Sequence, residues 1–107
     1  MRFSWSGEIS PDHPALPGHF PGNPMVPGAM LLSRVLHAVQ EECGKQVKIS
    51  AMPAAKFHAA LRPAEKFEIE LQALGEGRMK FTVSRGDTLI ATGSLCYEGI
   101  LRLRESS

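Results

Sequence analysis

Gly18-His19-Phe20-Pro21-Gly22-Asn23-Pro24-Met25-Val26-Pro27-Gly28-Ala29-Met30-Leu31-Leu32-Ser33 joins a stiff loop to an apolar helix. Between Gly18 and Gly28 there are three prolines and three glycines. Proline fixes φ and glycine supplies turns, so this backbone is held more tightly than a plain connector requires. One imidazole, His19, sits in the stiff part, just upstream of a helix start. That arrangement suits proton abstraction beside a carbonyl whose growing negative charge is met by backbone N–H groups. A loop histidine can equally serve as a backbone hydrogen-bond partner, and the glycines can serve only the turns. The pattern alone leaves both readings open.

Outward from this stretch, periodicity assigns the rest. Upstream, Arg2 to Ser10 alternates, with Phe3, Trp5, Gly7 and Ile9 on one side and Arg2, Ser4, Ser6 and Glu8 on the other. That is a half-buried strand. Pro11 to Gly28 then forms a structureless loop of about eighteen residues, a length uncommon without a function. Ala29 to Glu42 reads as a helix, apolar at Met30, Leu31, Val35, Leu36 and Val39. Leu32 and Ala38 widen the stripe, which predicts a helix buried on most sides. Gly44 is placed to cap its C-terminus.

Beyond the helix the chain reads as strands. Val47 to Pro53 and Ala54 to Leu61 are two short segments. Lys66 to Leu74 and Arg78 to Arg85 alternate clearly, and Thr88 to Glu98 is rich in β-branched and apolar residues. Gly75-Glu76-Gly77 and Gly86-Asp87 are the turns between them. One strand, one helix and then four or five antiparallel strands make an α+β domain. The 107 residues are expected to form one domain, 1–107, too short to enclose a large pocket in a monomer. A cleft between subunits is the expectation.

Composition narrows the chemistry. Twelve Lys and Arg against eleven Asp and Glu give no global pull toward nucleic acid. No apolar run is long enough to span a bilayer, and the N-terminus lacks the core of a signal peptide, so a cytoplasmic protein is expected. Cys43 and Cys96 are expected to be free thiols. No metal spacing and no phosphate- or dinucleotide-binding loop occurs, so neither metal nor cofactor is expected. His13, His19, His37 and His58 are scattered along the chain.

His19-Phe20-Pro21-Gly22, a short spacer, and Pro27-Gly28 resemble the signature of the 3-hydroxyacyl-acyl-carrier-protein dehydratases of fatty-acid synthesis. The likeness continues weakly through Lys56-Phe57-His58-Ala59-Ala60-Leu61-Arg62-Pro63-Ala64-Glu65-Lys66-Phe67. There Ala64 and Glu65 replace the family's usual Gly and Asp. The opening Ile9-Ser10 and Asp12-His13-Pro14-Ala15-Leu16-Pro17 resemble short stand-alone proteins of this kind, including the aryl-polyene-pathway type. The resemblance implies a hotdog fold, an antiparallel sheet wrapped around one long central helix. It also implies a lyase of lipid metabolism that eliminates water from a 3-hydroxyacyl thioester. His19 would be the base. Phe20, Pro21, Gly22, Pro27, Gly28 and Ala29 would form the substrate-binding turn.

Ser33 departs from the pattern, because it stands where the family carries Asp or Glu. A hydroxyl does not supply a proton readily at neutral pH. His37, one helical turn on, shares its face and is a substitute acid by position, or else a solvated or packed histidine. The departure admits two alternatives: a non-catalytic acyl-binding subunit, and an acyl thioesterase, which would also lack its carboxylate. Implied partners are an acyl-carrier protein bearing a 3-hydroxyacyl chain and a second hotdog subunit, as homodimer or hetero-oligomer. Arg34, Lys45, Lys48, Arg62, Arg102 and Arg104 are candidates for a basic patch that meets the acidic carrier.

Overall fold

The computed structural model describes residues 2–8, 26, 28–44, 47–75 and 77–99. These residues form five strands and one helix: β1 (Arg2–Gly7), α1 (Gly28–Cys43), β2 (Lys48–Phe57), β3 (Phe67–Gly75), β4 (Arg78–Arg85) and β5 (Thr88–Glu98). All strand pairs are antiparallel, in the order β1-β3-β4-β5-β2. β1 and β2 therefore lie at opposite edges of the sheet. The chain between them crosses one face of it, and α1 makes that crossing. This is the hotdog fold that the family resemblance implied.

The alternation of β3 and β4 places its apolar members on the helix side. Phe67, Ile69 and Leu71 are buried on β3, and Met79, Phe81 and Val83 on β4. Ile69 pairs with Val83, and Leu71 with Phe81, so one face of the sheet is a continuous apolar layer. β5 adds Ile90, Ala91 and Leu95. Gly93 lies opposite Phe81, and a Cβ there would run into the Phe81 ring and the Ala54 carbonyl. A glycine is needed so that the ring can lie flat across β5.

α1 answers with Leu31, Val35, Ala38, Val39 and Cys43, all buried. Their spacing of four, three, one and four residues follows a single helical stripe. The expectation of burial on most sides is thus corrected. Ala29, Ser33, His37, Gln40 and Glu41 are exposed, and Met30, Leu32 and Leu36 only partly covered. The described residues form one sheet, hence one wall for the helix to pack against. Gly44 ends α1 as expected. Its φ is +82° and its N–H donates to the Gln40 carbonyl at 2.9 Å.

A second correction concerns β2. The segments split at Pro53 form one ten-residue strand. Ile49 and Ala51 pair with the adjacent Tyr97 and Cys96, and Ala51 and Ala54 with Cys96 and Ser94. β2 therefore carries one extra residue in each of two bulges, and Pro53 falls in the second. An edge strand tolerates a residue without an N–H at a bulge, so proline does not end it. The strand leaves the sheet after Phe57 rather than running on to Leu61.

Candidate active site

The helix start and the end of β2 face each other. α1 begins at Gly28, and its first N–H groups have no partner within the helix. The Phe57 ring lies against Gly28, where an added Cβ would stand 2.8 Å from the ring's Cζ. Just upstream, the Val26 N–H donates to the Leu61 carbonyl at 2.7 Å. That bond ties the approach to the helix to the segment after β2. Between them lies an open cavity of about 410 Å³. Val26, Leu31, Phe57, Leu61 and Ile90 give it apolar walls, Gly28 stands at one side, and His58, Ala59 and Ala60 complete the lining. The slot thus sets apolar walls beside the first N–H groups of a helix, which are hydrogen-bond donors.

Loop 58–66 is held in place mainly from outside itself. The N–H groups of His58 and Ala59 both donate to the Ile90 carbonyl, at 2.8 and 3.3 Å. Arg62-Pro63-Ala64-Glu65 then turns back toward β3, and Ala64 takes a φ of +68°. Glycine is the usual residue for that backbone, so alanine holds it under strain. The Glu65 carboxylate supports the turn by accepting from the Arg62 N–H at 2.7 Å.

The sequence-predicted residues divide into three groups. Gly28 lines the cavity, with Ala29 exposed beside it. Ser33 and His37 do not line it; they lie on the exposed face of α1. The Ser33 hydroxyl donates to the Ala29 carbonyl of its own helix at 3.1 Å. His37 Nε2 lies 2.8 Å from Glu41 Oε1, and its ring meets Trp5 edge-on at 6.2 Å. His19, Phe20, Pro21, Gly22 and Pro27 lie outside the described residues, as do Lys45, Arg102 and Arg104 of the basic set. Of the rest of that set, Arg34 is half-buried, and Lys48 and Arg62 are exposed.

His58 and its neighbours enter the sequence reading only through the family likeness and not as site residues, and the lining shows why they matter. The His58 ring itself is turned away. Its Nε2 lies 3.1 Å from Thr92 Oγ1. On β5, Ala91 and Leu95 point into the core, so Thr92 belongs to the opposite face. The Lys56-Phe57-His58 stretch was visible in the sequence, but the return of this loop over the helix start was not. Both cysteines are free, and Cys43 is buried. Burial, reinforced by the Glu42 charge, pushes its thiol up to about 11. Among the described residues, no group of three or more His, Cys, Asp or Glu is placed to hold a metal ion, and no helix is long and apolar enough to cross a membrane.

Fold and cavity together define a hotdog protein with an apolar slot at its helix start. A family model described as ApeI-like, ApeI dehydratase, matches residues 1–94, and the chain belongs to that family. It is 29% identical over 102 residues to the 3-hydroxyacyl-(acyl-carrier-protein) dehydratase FabZ of Chloroflexus aggregans, across 83% of this chain and 69% of the relative. To the FabZ of Lactiplantibacillus plantarum it is 30% identical over 91 residues, 75% of this chain and 62% of the relative. Among solved structures, the dehydratase heterocomplex ApeI:P from Xenorhabdus doucetiae superposes with a TM-score of 0.78 at 20% identity, covering 94% of this chain and 88% of that one. The fluoroacetyl-CoA thioesterase FlK gives 0.61 at 14% identity, over 94% and 86%. These two structures share the fold.

Proposed function

We propose that the chain acts as one hotdog unit on 3-hydroxyacyl thioesters carried by an acyl-carrier protein, and that it eliminates water from them. The observation that carries this reading is the apolar cavity at the α1 N-terminus. The acyl chain lies along Leu31, Leu61 and Ile90. The thioester oxygen accepts from N–H groups at the start of α1, near Gly28 and Ala29. His19 removes a proton from C2, the C2–C3 double bond forms, and the 3-hydroxyl departs with one further proton as water. Phe20, Pro21, Gly22 and Pro27 belong with Gly28 and Ala29 to the substrate-binding turn. The assignment of His19 and these neighbours rests on the family motif.

Position 33, where the family carries its acid, offers no ready donor for the second proton. The Ser33 hydroxyl is bonded to its own helix at the Ala29 carbonyl. A serine in that state is a poor stand-in for a carboxylic acid. The family's acid belongs to the partner subunit's helix, and Ser33 lies on the outward face of α1, where a second subunit would meet it. Pairing with a hotdog subunit that keeps its acidic residue would supply the proton, and a homodimer would work slowly. His37 is a substitute acid only if it gives up Glu41. The reading places the protein in the cytoplasm, with the carriers it would use.

Incubation with a 3-hydroxyacyl-acyl-carrier protein, followed by mass spectrometry for loss of one water, tests this. Slow dehydration is expected, abolished in His19→Ala and faster in Ser33→Glu by about 10²-fold or more. Unchanged turnover in His19→Ala overturns the assignment of the base. Carrier binding without any dehydration favours a second reading, an acyl-binding subunit without catalysis. The internally bonded Ser33 is the observation behind that alternative.

A further inference from the structure

The wall of the cavity opposite the helix is pinned by a side chain from the far end of β4. Arg85, the last residue of that strand, reaches across to loop 58–66. Its Nη1 donates to the Ala60 carbonyl at 2.9 Å and to Glu65 Oε1 at 3.0 Å. One guanidinium nitrogen carries two hydrogens, so both bonds can be made at once. Glu65 Oε1 also accepts from the Arg62 N–H at 2.7 Å. The carboxylate thus holds the turn and orients the guanidinium, and the guanidinium holds Ala60.

Ala60 lies beyond the end of β2 and outside its strand pairing. Sheet bonding of the segment ends with the Ile90 carbonyl, which takes the N–H groups of His58 and Ala59. The next residue, Leu61, gives its carbonyl to the Val26 N–H. A chain of contacts therefore runs from β4 through Arg85 and Ala60 to Leu61, and on to Val26, two residues before α1. Ala60, Leu61 and Val26 all line the cavity. The Arg85–Glu65 pair is about one-third exposed, 33% and 32%. A pair so placed adds little to global stability. Its geometry nonetheless sets where two walls of the slot stand.

We propose that Arg85 and Glu65 are positioning residues that fix the width of the acyl cavity and thereby its discrimination among acyl chains. This rests on the reading of the cavity as an acyl site. Loss of the pin lets the 59–61 wall move, and a long chain, which touches more of that wall, feels the change more than a short one. Small displacements of a positioning element are enough to alter reaction rates strongly.

The test compares kcat/KM for a short-chain and a long-chain 3-hydroxyacyl-acyl-carrier protein in wild type, Arg85→Ala, Arg85→Lys and Glu65→Gln, with Tm measured alongside. The ratio between the two substrates does not depend on how much of the enzyme is folded. It is expected to change by about fivefold or more in Arg85→Ala, less in Glu65→Gln, and to return most of the way in Arg85→Lys. A wild type that binds but does not turn over is read by the ratio of the two Kd values instead. An active wild type with an unchanged ratio in Arg85→Ala and Glu65→Gln overturns the positioning role alone. A wild type that neither binds nor turns over either carrier overturns the acyl-site reading, and this proposal with it.

Discussion

The centre of the sheet and its β2 margin are built by different rules. In β3 as far as Leu71 and in β4 as far as Val83 every second residue is buried: Phe67, Ile69 and Leu71, then Met79, Phe81 and Val83. β2 has no fully buried residue and carries two bulges and a proline. The centre is made by apolar area removed from water, which depends on residue type and period alone. The margin is made by individual bonds: the Ile90 carbonyl to His58 and Ala59, Arg85 to Ala60, Leu61 to Val26. The cavity lies where the two meet. Its floor comes from the core and its hydrogen-bonded wall from the margin.

Two phenylalanines put the contrast to its hardest test. Phe81 is fully buried, whereas Phe57 is 48% exposed at the cavity edge. Phe81→Ala should cost about 3–5 kcal/mol in denaturant unfolding. Phe57→Ala should cost about 1 kcal/mol or less and should weaken acyl binding instead. Equal losses of stability would erase the distinction between core and margin.

Cys43 sharpens the core side. Its thiol is raised from 9.0 to about 11 in the folded chain. A raised acid binds its proton more tightly when folded, so its contribution is complete below about pH 9 and is lost as pH climbs toward 11. The loss attributable to this one group should be on the order of 2 kcal/mol. It is read as the difference in pH dependence between wild type and Cys43→Ala over that window. Parallel curves would mean that the thiol is not sealed in the core. The smallest effect belongs to the margin. Ala64→Gly relieves the positive φ and partly offsets this with unfolded-state entropy, for a net gain of about 0.5–1 kcal/mol in thermal or chemical unfolding. A loss would show that the Ala64 methyl contributes packing that outweighs the strain.

The legibility of the sequence divides along the same line. β3, β4, β5 and the helix lie within a residue or so of their expected ends, because burial of one face imposes a repeat on consecutive residues. Gly44 was legible as a cap because left-handed backbone selects glycine. Pro53 misled, since proline breaks a central strand and is admitted at a bulge on an edge, and edge position is a property of the sheet. Ser33 was legible as a departure, though not its bond to the Ala29 carbonyl, which depends on a rotamer. His58 to Leu61 carried no pattern at all as cavity wall.

By itself, the sequence determined the class of protein. Local periodicity set one helix and an antiparallel sheet, and the His19 to Gly28 motif marked the family, because both are written in neighbouring residues. Tertiary structure alone decided that β2 closes the far edge, that Phe57 to Leu61 returns over Gly28, and that Arg85 reaches Ala60. Those contacts join residues some twenty-five or more positions apart. They exist only after the helix has crossed the sheet, and no local pattern encodes where the crossing lands.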